Sequence, residues 1–301
     1  MSDPETGSLE ARVTAARAGD PAALEDVVGR IQAPVYRLAL RMLWHPEDAR
    51  DATQEILVRV VTRLATYRGE SAFLTWAYRV ATNYLLSARR SRLEHARLSF
   101  AEFARDLGEP EPGLAVNPTA EDALLLEEVK IGCTHAMLLC LDRPARLAYV
   151  IGEILEMTAG EAAAVLDIAP AAFRKRLERA RRAITDFMMG HCGLVNPERP
   201  CRCRRQAGPA VRAGRVDPVR LLFASDVARA RRFPEVLQEI RRLEATRRAA
   251  ALYRSHRERG PDDLAAAIRQ LVAGIDRGRA SMRRPGQDPP GPASRASGSE
   301  R

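Results

Sequence analysis

The chain has 301 residues, of which 46% are hydrophobic, 29% charged and only 5% aromatic, and its formal net charge is +9. That length supports two small cores plus additions. No stretch approaches a membrane span, and the N-terminus MSDPETGSLE has neither a basic start nor an apolar run; five cysteines are an odd count for a disulfide framework, so a cytoplasmic protein without membrane contact or disulfides is expected.

The charge is unevenly spread. From Arg199 onward 24 Arg stand against 11 Asp plus Glu, an excess of +13, whereas residues 1–198 carry −4. Lys130 and Lys175 are the only lysines, so arginine supplies nearly all the positive charge. A basic C-terminal third points to contact with an acidic surface, nucleic acid or protein.

Helical period dominates from about Leu9 to Arg97. Gly19 ends a first helix, and Asp20-Pro21 starts a second through Leu24, Val27, Val28 and Ile31. A further segment, Val35 to Trp44, stops at His45-Pro46. Pro46-Glu47-Asp48 opens a helix with Ile56, Val60 and Leu64 inside and Asp48, Asp51, Gln54 and Glu55 outside. Acids in a first turn suit the helix dipole, which accounts for two of these four. After a break at 67–70, Ser71 is expected to cap a helix carrying Trp76, Arg79, Asn83, Tyr84, Arg89, Arg90 and Arg92. Aromatics alternating with base suit stacking on unpaired bases while phosphates are held, although Trp76 and Tyr84 taken singly also read as core.

Residues 98–122, with GEPEPG at 108–113 and Asn117-Pro118, read as an acidic linker. Leucine-rich helices follow to Tyr149, with Cys133 and Cys140 seven apart on one face and read as packing thiols. Residues 158–184 then have helix-turn-helix spacing. Thr158 and Glu161 form a capping box, Asp167 to Ala169 is the turn, and Pro170 opens the second helix. Phe173, Leu177, Ala180 and Ile184 make its buried stripe. Its other side carries Arg174, Lys175, Arg176, Arg179, Arg181 and Arg182 against Glu178, a face that fits the major groove.

These residues resemble a known family. The run DARDATQE at 48–55, the run YRGESAFLTWAYRVATN at 67–83, and ARAGDPAA at 16–23 look like domain two of the extracytoplasmic-function (ECF) sigma factors of bacterial RNA polymerase; the helix-turn-helix is similar to that family's domain four. The resemblance spans roughly residues 9–190. It implies that Asp48, Asp51, Gln54 and Glu55 face core RNA polymerase. It implies that Trp76, Arg79, Asn83, Arg89 and Arg90 meet the −10 element, with the loop 67–73 shaping a pocket for a flipped base. Arg174, Lys175, Arg176 and Arg179 would read the −35 duplex. Two positions depart from the family pattern: Ser87 stands where an acid is usual, and APAAF at 169–173 replaces the usual Ser-x-Gly-Thr-Val.

The expected architecture is therefore all-α. Domain two spans 1–97, a linker 98–122 and domain four 123–190; a Cys-rich loop occupies 191–215, a helical extension 216–276 and a disordered tail 277–301. Helical periodicity in the extension is expected to restart at Asp217-Pro218, again at Phe233-Pro234 and a third time at Pro261. His191, Cys192, Cys201 and Cys203 lie within thirteen residues and have three readings. They are a structural zinc site, a redox pair activated by Arg199, Arg202, Arg204 and Arg205, or incidental thiols. No cofactor is required by the resemblance.

A sigma subunit directing promoter-specific initiation is the reading these residues favour, with core RNA polymerase and promoter DNA as partners and room for an anti-sigma factor. The alternative is a stand-alone helix-turn-helix regulator, which leaves the acidic helix and the Trp/Arg/Asn helix without a role. No Gly-rich phosphate loop, HExxH or nucleophile-histidine pair marks an enzyme.

Overall fold

Asp20 marks the first boundary that the sequence dictates. Its carboxylate accepts from the backbone N–H groups of Ala22 and Ala23 at 2.9 and 3.1 Å, while Gly19 turns the chain at φ 102°. The computed structural model describes residues 4–88, 98–107 and 119–256, with side chains from residue 9. Arg89, Arg90, the helix expected at Pro261 and the tail expected at 277–301 lie outside the described residues.

Among the described residues there are twelve α-helices and no strand. The first four are α1 (Pro4–Arg17), α2 (Pro21–Leu43), α3 (Pro46–Thr62) and α4 (Phe73–Ser87). α2 runs unbroken through Pro34, where two segments were expected. An interior proline removes a backbone hydrogen bond. Burial of Val27, Val28, Ile31, Val35, Leu38 and Met42 on one stripe holds the helix together across that gap.

α4 corrects another expectation. Its N-cap is Ala72, which offers no side-chain cap, and Ser71 does not cap it. Glu10 from α1 does so instead, its Oε1 accepting from the Phe73 N–H at 2.7 Å and its Oε2 from the Tyr67 hydroxyl at 3.1 Å. One carboxylate thereby fixes α1, the 67–73 loop and the start of α4 together.

The expected linker contains α5 (Phe100–Leu107), whose buried Phe103 stacks on Phe187 with ring centres 5.5 Å apart. α6 (Ala120–Leu139) opens with a Thr119–Asp122 capping box. Then come α7 (Arg143–Tyr149), a π-helical turn at Val150–Ile154, α8 (Ala159–Leu166) and α9 (Pro170–His191). The buried Arg146 joins the two parts of the bundle: it donates to the Leu138 and Leu141 carbonyls at 2.9 and 3.1 Å, and to that of Met42 in α2. Removing such a group would strand several buried acceptors.

The extension is more helical at its start than expected. Residues Cys203–Arg212 form α10 where a loop was read, whereas 217–226 is irregular where helix was read. The reason is Glu128 of α6, a buried carboxylate that accepts the N–H groups of Leu222, Phe223 and Ala224, each at 2.8 Å. Those amides cannot also serve a helix. α11 (Val227–Arg242) contains Pro234 rather than starting there, and α12 (Ala245–Arg254) returns to the core through Tyr253, whose hydroxyl donates to the Thr134 carbonyl at 2.8 Å. No helix among the described residues is long and apolar enough to cross a membrane.

Candidate nucleic-acid interface

The surface that α3 and α4 share begins with an acidic edge. His45 Nδ1 accepts from the Glu47 N–H at 3.3 Å and Pro46 takes the first turn, so α3 starts with its acids directed to solvent. Asp48, Asp51, Gln54 and Glu55 are all exposed, while Ala49, Ala52, Ile56 and Leu57 face inward. At the far side of this edge Arg59 lies over the Tyr84 ring, 4.8 Å from its centre, and links α3 to α4.

On α4 the aromatic residues form a cluster. Tyr67, Phe73 and Trp76 have ring centres 5.3 to 5.6 Å apart, and Phe73 is fully buried while Trp76 keeps one side open. Burial, then the Glu10 carboxylate, pushes the Tyr67 phenol up to about 12. Trp76 therefore packs on the core with one part and meets solvent with the other. Arg79 and Asn83 are exposed one and two turns beyond it.

The helix-turn-helix forms as its capping residues require. Thr158 accepts from the Glu161 N–H, and Glu161 accepts from the Thr158 N–H at 2.8 Å and from its hydroxyl at 2.7 Å. These bonds hold the Glu161 carboxyl below the ordinary glutamate range. Asp167 takes the left-handed conformation at φ 55°, ψ 46° and ends α8. Phe173, Ala180 and Ile184 of α9 are buried, and half-buried Leu177 packs against Gly152, where a Cβ would meet Leu177 Cδ2 at 2.7 Å. Arg174, Lys175, Arg179 and Arg182 are exposed and Arg176 half so. Arg181 differs from these: its Nε donates to Glu153 at 2.9 Å, which commits it to the fold.

The surfaces of α4 and the helix-turn-helix meet directly. The Arg79 guanidinium is 2.8 Å from the Asp167 carboxylate, and the buried Thr82 hydroxyl donates to the Val165 carbonyl at 3.3 Å. α4 thus rests against α8, with Arg143 adding bonds to the Leu85 and Ala88 carbonyls at 3.0 and 2.6 Å. No local sequence pattern signals contacts between residues some eighty positions apart.

The cysteines gather around one cavity of about 260 Å³ between α5, α6, the end of α9 and α10. Cys192, Cys201 and Cys203 line it, as does His191, whose ring lies 4.7 Å from that of Phe187. Cys133 of α6 joins them, while Cys140, the C-cap of α6, does not. Burial, the largest effect at each, pushes the Cys133, Cys192, Cys201 and Cys203 thiols up. Arg202, beside Cys192 and Cys201, acts in the opposite direction without offsetting the burial. Among the described residues, no three Cys, His, Asp or Glu side chains already converge as a metal-holding group.

Comparison with known proteins bears on the same surfaces. The family model for sigma-70 region 2 matches residues 27–93, which include the acidic edge of α3 and all of α4. The RNA polymerase sigma-H factor of Pseudomonas aeruginosa is 28% identical over 55% of this chain and 86% of its own length. An ECF RNA polymerase sigma factor of Bacillus subtilis is 27% identical over 58% of this chain and 94% of its own. One from Mycolicibacterium smegmatis is 28% identical over 63% and 70%.

Proposed function

We propose that this chain is a member of the ECF family of RNA polymerase sigma factors and directs promoter-specific initiation by binding core RNA polymerase through α3 and promoter DNA through α4 and α9. The observation that carries this reading is the adjacency of two unlike edges within the sigma-70 region 2 match. The exposed Asp48, Asp51, Gln54 and Glu55 lie on α3, and Trp76, Arg79 and Asn83 lie on its neighbour α4.

Four acidic or polar groups held rigidly on one helix suit a basic helical surface on the polymerase, and steer docking through complementary potential. Trp76 offers a π-face beside the 67–73 loop, where an unpaired base can stack, and Arg79 and Asn83 offer donors to the strand that carries it. Arg89 and Arg90, which follow α4 in the sequence and lie outside the described residues, are assigned the same role by the family resemblance alone. On α9, Arg174, Lys175, Arg176 and Arg179 reach the −35 duplex, and an arginine that forks onto guanine specifies while one on phosphate positions. A stand-alone regulator gives the α3 edge nothing to do.

Reconstitution with core polymerase tests the proposal. With this chain added, transcripts start at discrete sites; a chain with Asp48, Asp51 and Glu55 replaced by lysine neither binds core enzyme nor supports those starts. Promoter duplex bound as tightly without polymerase as with it would favour the stand-alone regulator.

A further inference from the structure

We propose that the thiols of Cys133, Cys192, Cys201 and Cys203 form a closed four-thiolate zinc site that fastens the C-terminal extension to the helix-turn-helix domain. Three observations carry it, and none depends on the sigma assignment.

Four of the five cysteines line a single cavity, and they arrive there from three different elements. Cys133 projects from α6, Cys192 caps the end of α9, and Cys201 and Cys203 flank the start of α10. Four soft ligands from separated segments are what a tetrahedral structural zinc site requires, and such a site needs no histidine.

Two of the four sulfurs receive N–H donors. The N–H groups of Leu194 and Val195 donate to the Cys192 sulfur, two and three residues along, and the Gln206 amide donates to the Cys201 sulfur. Donors aimed at a sulfur are the outer-shell support that a metal-bound thiolate uses. A protonated packing thiol has little use for them.

The loop is also built to bring its ends together. The Gly193 N–H donates to the Cys201 carbonyl at 3.1 Å, and Cys192 and Cys201 form an isolated bridge. A Cβ on Gly193 would stand 2.3 Å from that carbonyl, so only glycine fits there. Arg202 closes the loop by donating to the Pro197 and Cys201 carbonyls, both at 2.9 Å.

Zinc binding displaces four thiol protons and leaves a centre of net charge −2, formed from one dication and four thiolates. Arg215 lines the same cavity, as do Asp106 and Lys130, the latter ion-paired with Glu127. The thiols share the cavity without converging on a point, so metal binding has to draw them together.

The test uses the full-length chain, expressed in zinc-supplemented medium, and then stripped and titrated with Co²⁺ as an optical stand-in. About one zinc per chain is expected in the purified protein, and the Co²⁺ form should show thiolate charge-transfer and tetrahedral d–d absorption. Cys133→Ser, Cys192→Ser, Cys201→Ser and Cys203→Ser should each lose the zinc, while Cys140→Ser and His191→Ala should keep it. Helical content by circular dichroism separates loss of metal from loss of fold. A chain that binds neither ion while fully helical overturns the proposal, as does Cys133→Ser that retains zinc beside His191→Ala that loses it.

Discussion

Arg79 and Asp167 stand 2.8 Å apart, joining the helix proposed to meet the −10 element to the turn of the helix-turn-helix. Both side chains are substantially exposed, at 46% and 72%, so the ion pair itself contributes less than about 1 kcal/mol. The buried part of this contact is Thr82 against Val165. In this arrangement Arg79 is engaged by the protein's own acid, and promoter DNA has to displace that acid to reach it. Asp167→Ala should therefore raise affinity for single-stranded −10 DNA, at a stability cost of about 1 kcal/mol that comes from alanine in the left-handed conformation of position 167. Thr82→Arg should separate α4 from α8 and enlarge the radius of gyration in X-ray scattering. Equal affinity for such DNA in wild type and Asp167→Ala would show that the contact holds nothing back.

Glu10 is the second point of leverage. It accepts from the Phe73 N–H and the Tyr67 hydroxyl, and both donors lie in the part-buried joint between α1 and α4. Hydrogen bonds to a charged group contribute roughly 1.5–3 kcal/mol, so Glu10→Ala should lower stability by about that much in a denaturant titration. The same joint sets an alkaline limit. The folded Tyr67 phenol, pushed up to about 12, keeps a proton that an unfolded tyrosine, with an ordinary value of 10.0, gives up. Stability is therefore full below the ordinary tyrosine value and falls as pH rises from there through the folded value. Tyr67→Phe should flatten that part of the stability curve.

What was legible in the sequence was whatever a short window decides. Asp20, Thr158 with Glu161, and Pro170 announce helix starts through bonds within three residues, and all three form. The buried stripe of α9 and the exposed acids of α3 follow from a 3.6-residue period. The misreadings share one cause, a partner distant in sequence. Glu10 takes the cap expected of Ser71, and Glu128 takes the amides of 222–224. The burial of Phe103 gives α5 a reason to form inside a stretch read as linker.

The capping box offers a local measurement. Thr158→Ala leaves the Glu161 N–H without its acceptor and should cost about 0.5–2 kcal/mol. Glu161 itself is held below the ordinary glutamate range by the Thr158 hydroxyl and N–H. Its contribution is thus present above the unfolded glutamate value and is lost as pH falls through the folded one. Glu161→Gln should remove that acid dependence, as followed by amide exchange in α8.

On α9 the arginines separate by what already holds them. Arg181 is bonded to Glu153, so Arg181→Ala should weaken the fold and affect all duplexes alike. Arg174, Lys175 and Arg179 are exposed and available to DNA. Alanine at a residue that forks onto a base should cost about 1–3 kcal/mol and relax preference at one position of the −35 element. Alanine at a phosphate contact should instead lower affinity across all sequences and reduce the salt slope by about one unit. Titrations at several salt concentrations, on the preferred duplex and on single-base variants, assign each residue to one class.

Glu128 is the group on which docking of the extension turns. Its carboxylate is buried and serves three backbone amides at once, those of Leu222, Phe223 and Ala224. Replacing it by alanine leaves three donors without an acceptor, each costing about 1–3 kcal/mol if it stays buried, so the cheaper outcome is release of the segment to water. Phe223 would leave with it, giving up its edge contacts with Trp44 at 6.0 Å and His135 at 5.2 Å. Limited proteolysis of Glu128→Ala should cut within 217–226 many times faster than in wild type, while the helices up to α9 stay protected. Because Tyr253 and Arg254 of α12 hold the far end of the extension through Thr134 and Glu156, the cut fragment should stay bound until denaturant is added. Co-elution of the two pieces on gel filtration checks that second anchor, and their separation without denaturant would mean that Glu128 alone keeps the extension in place.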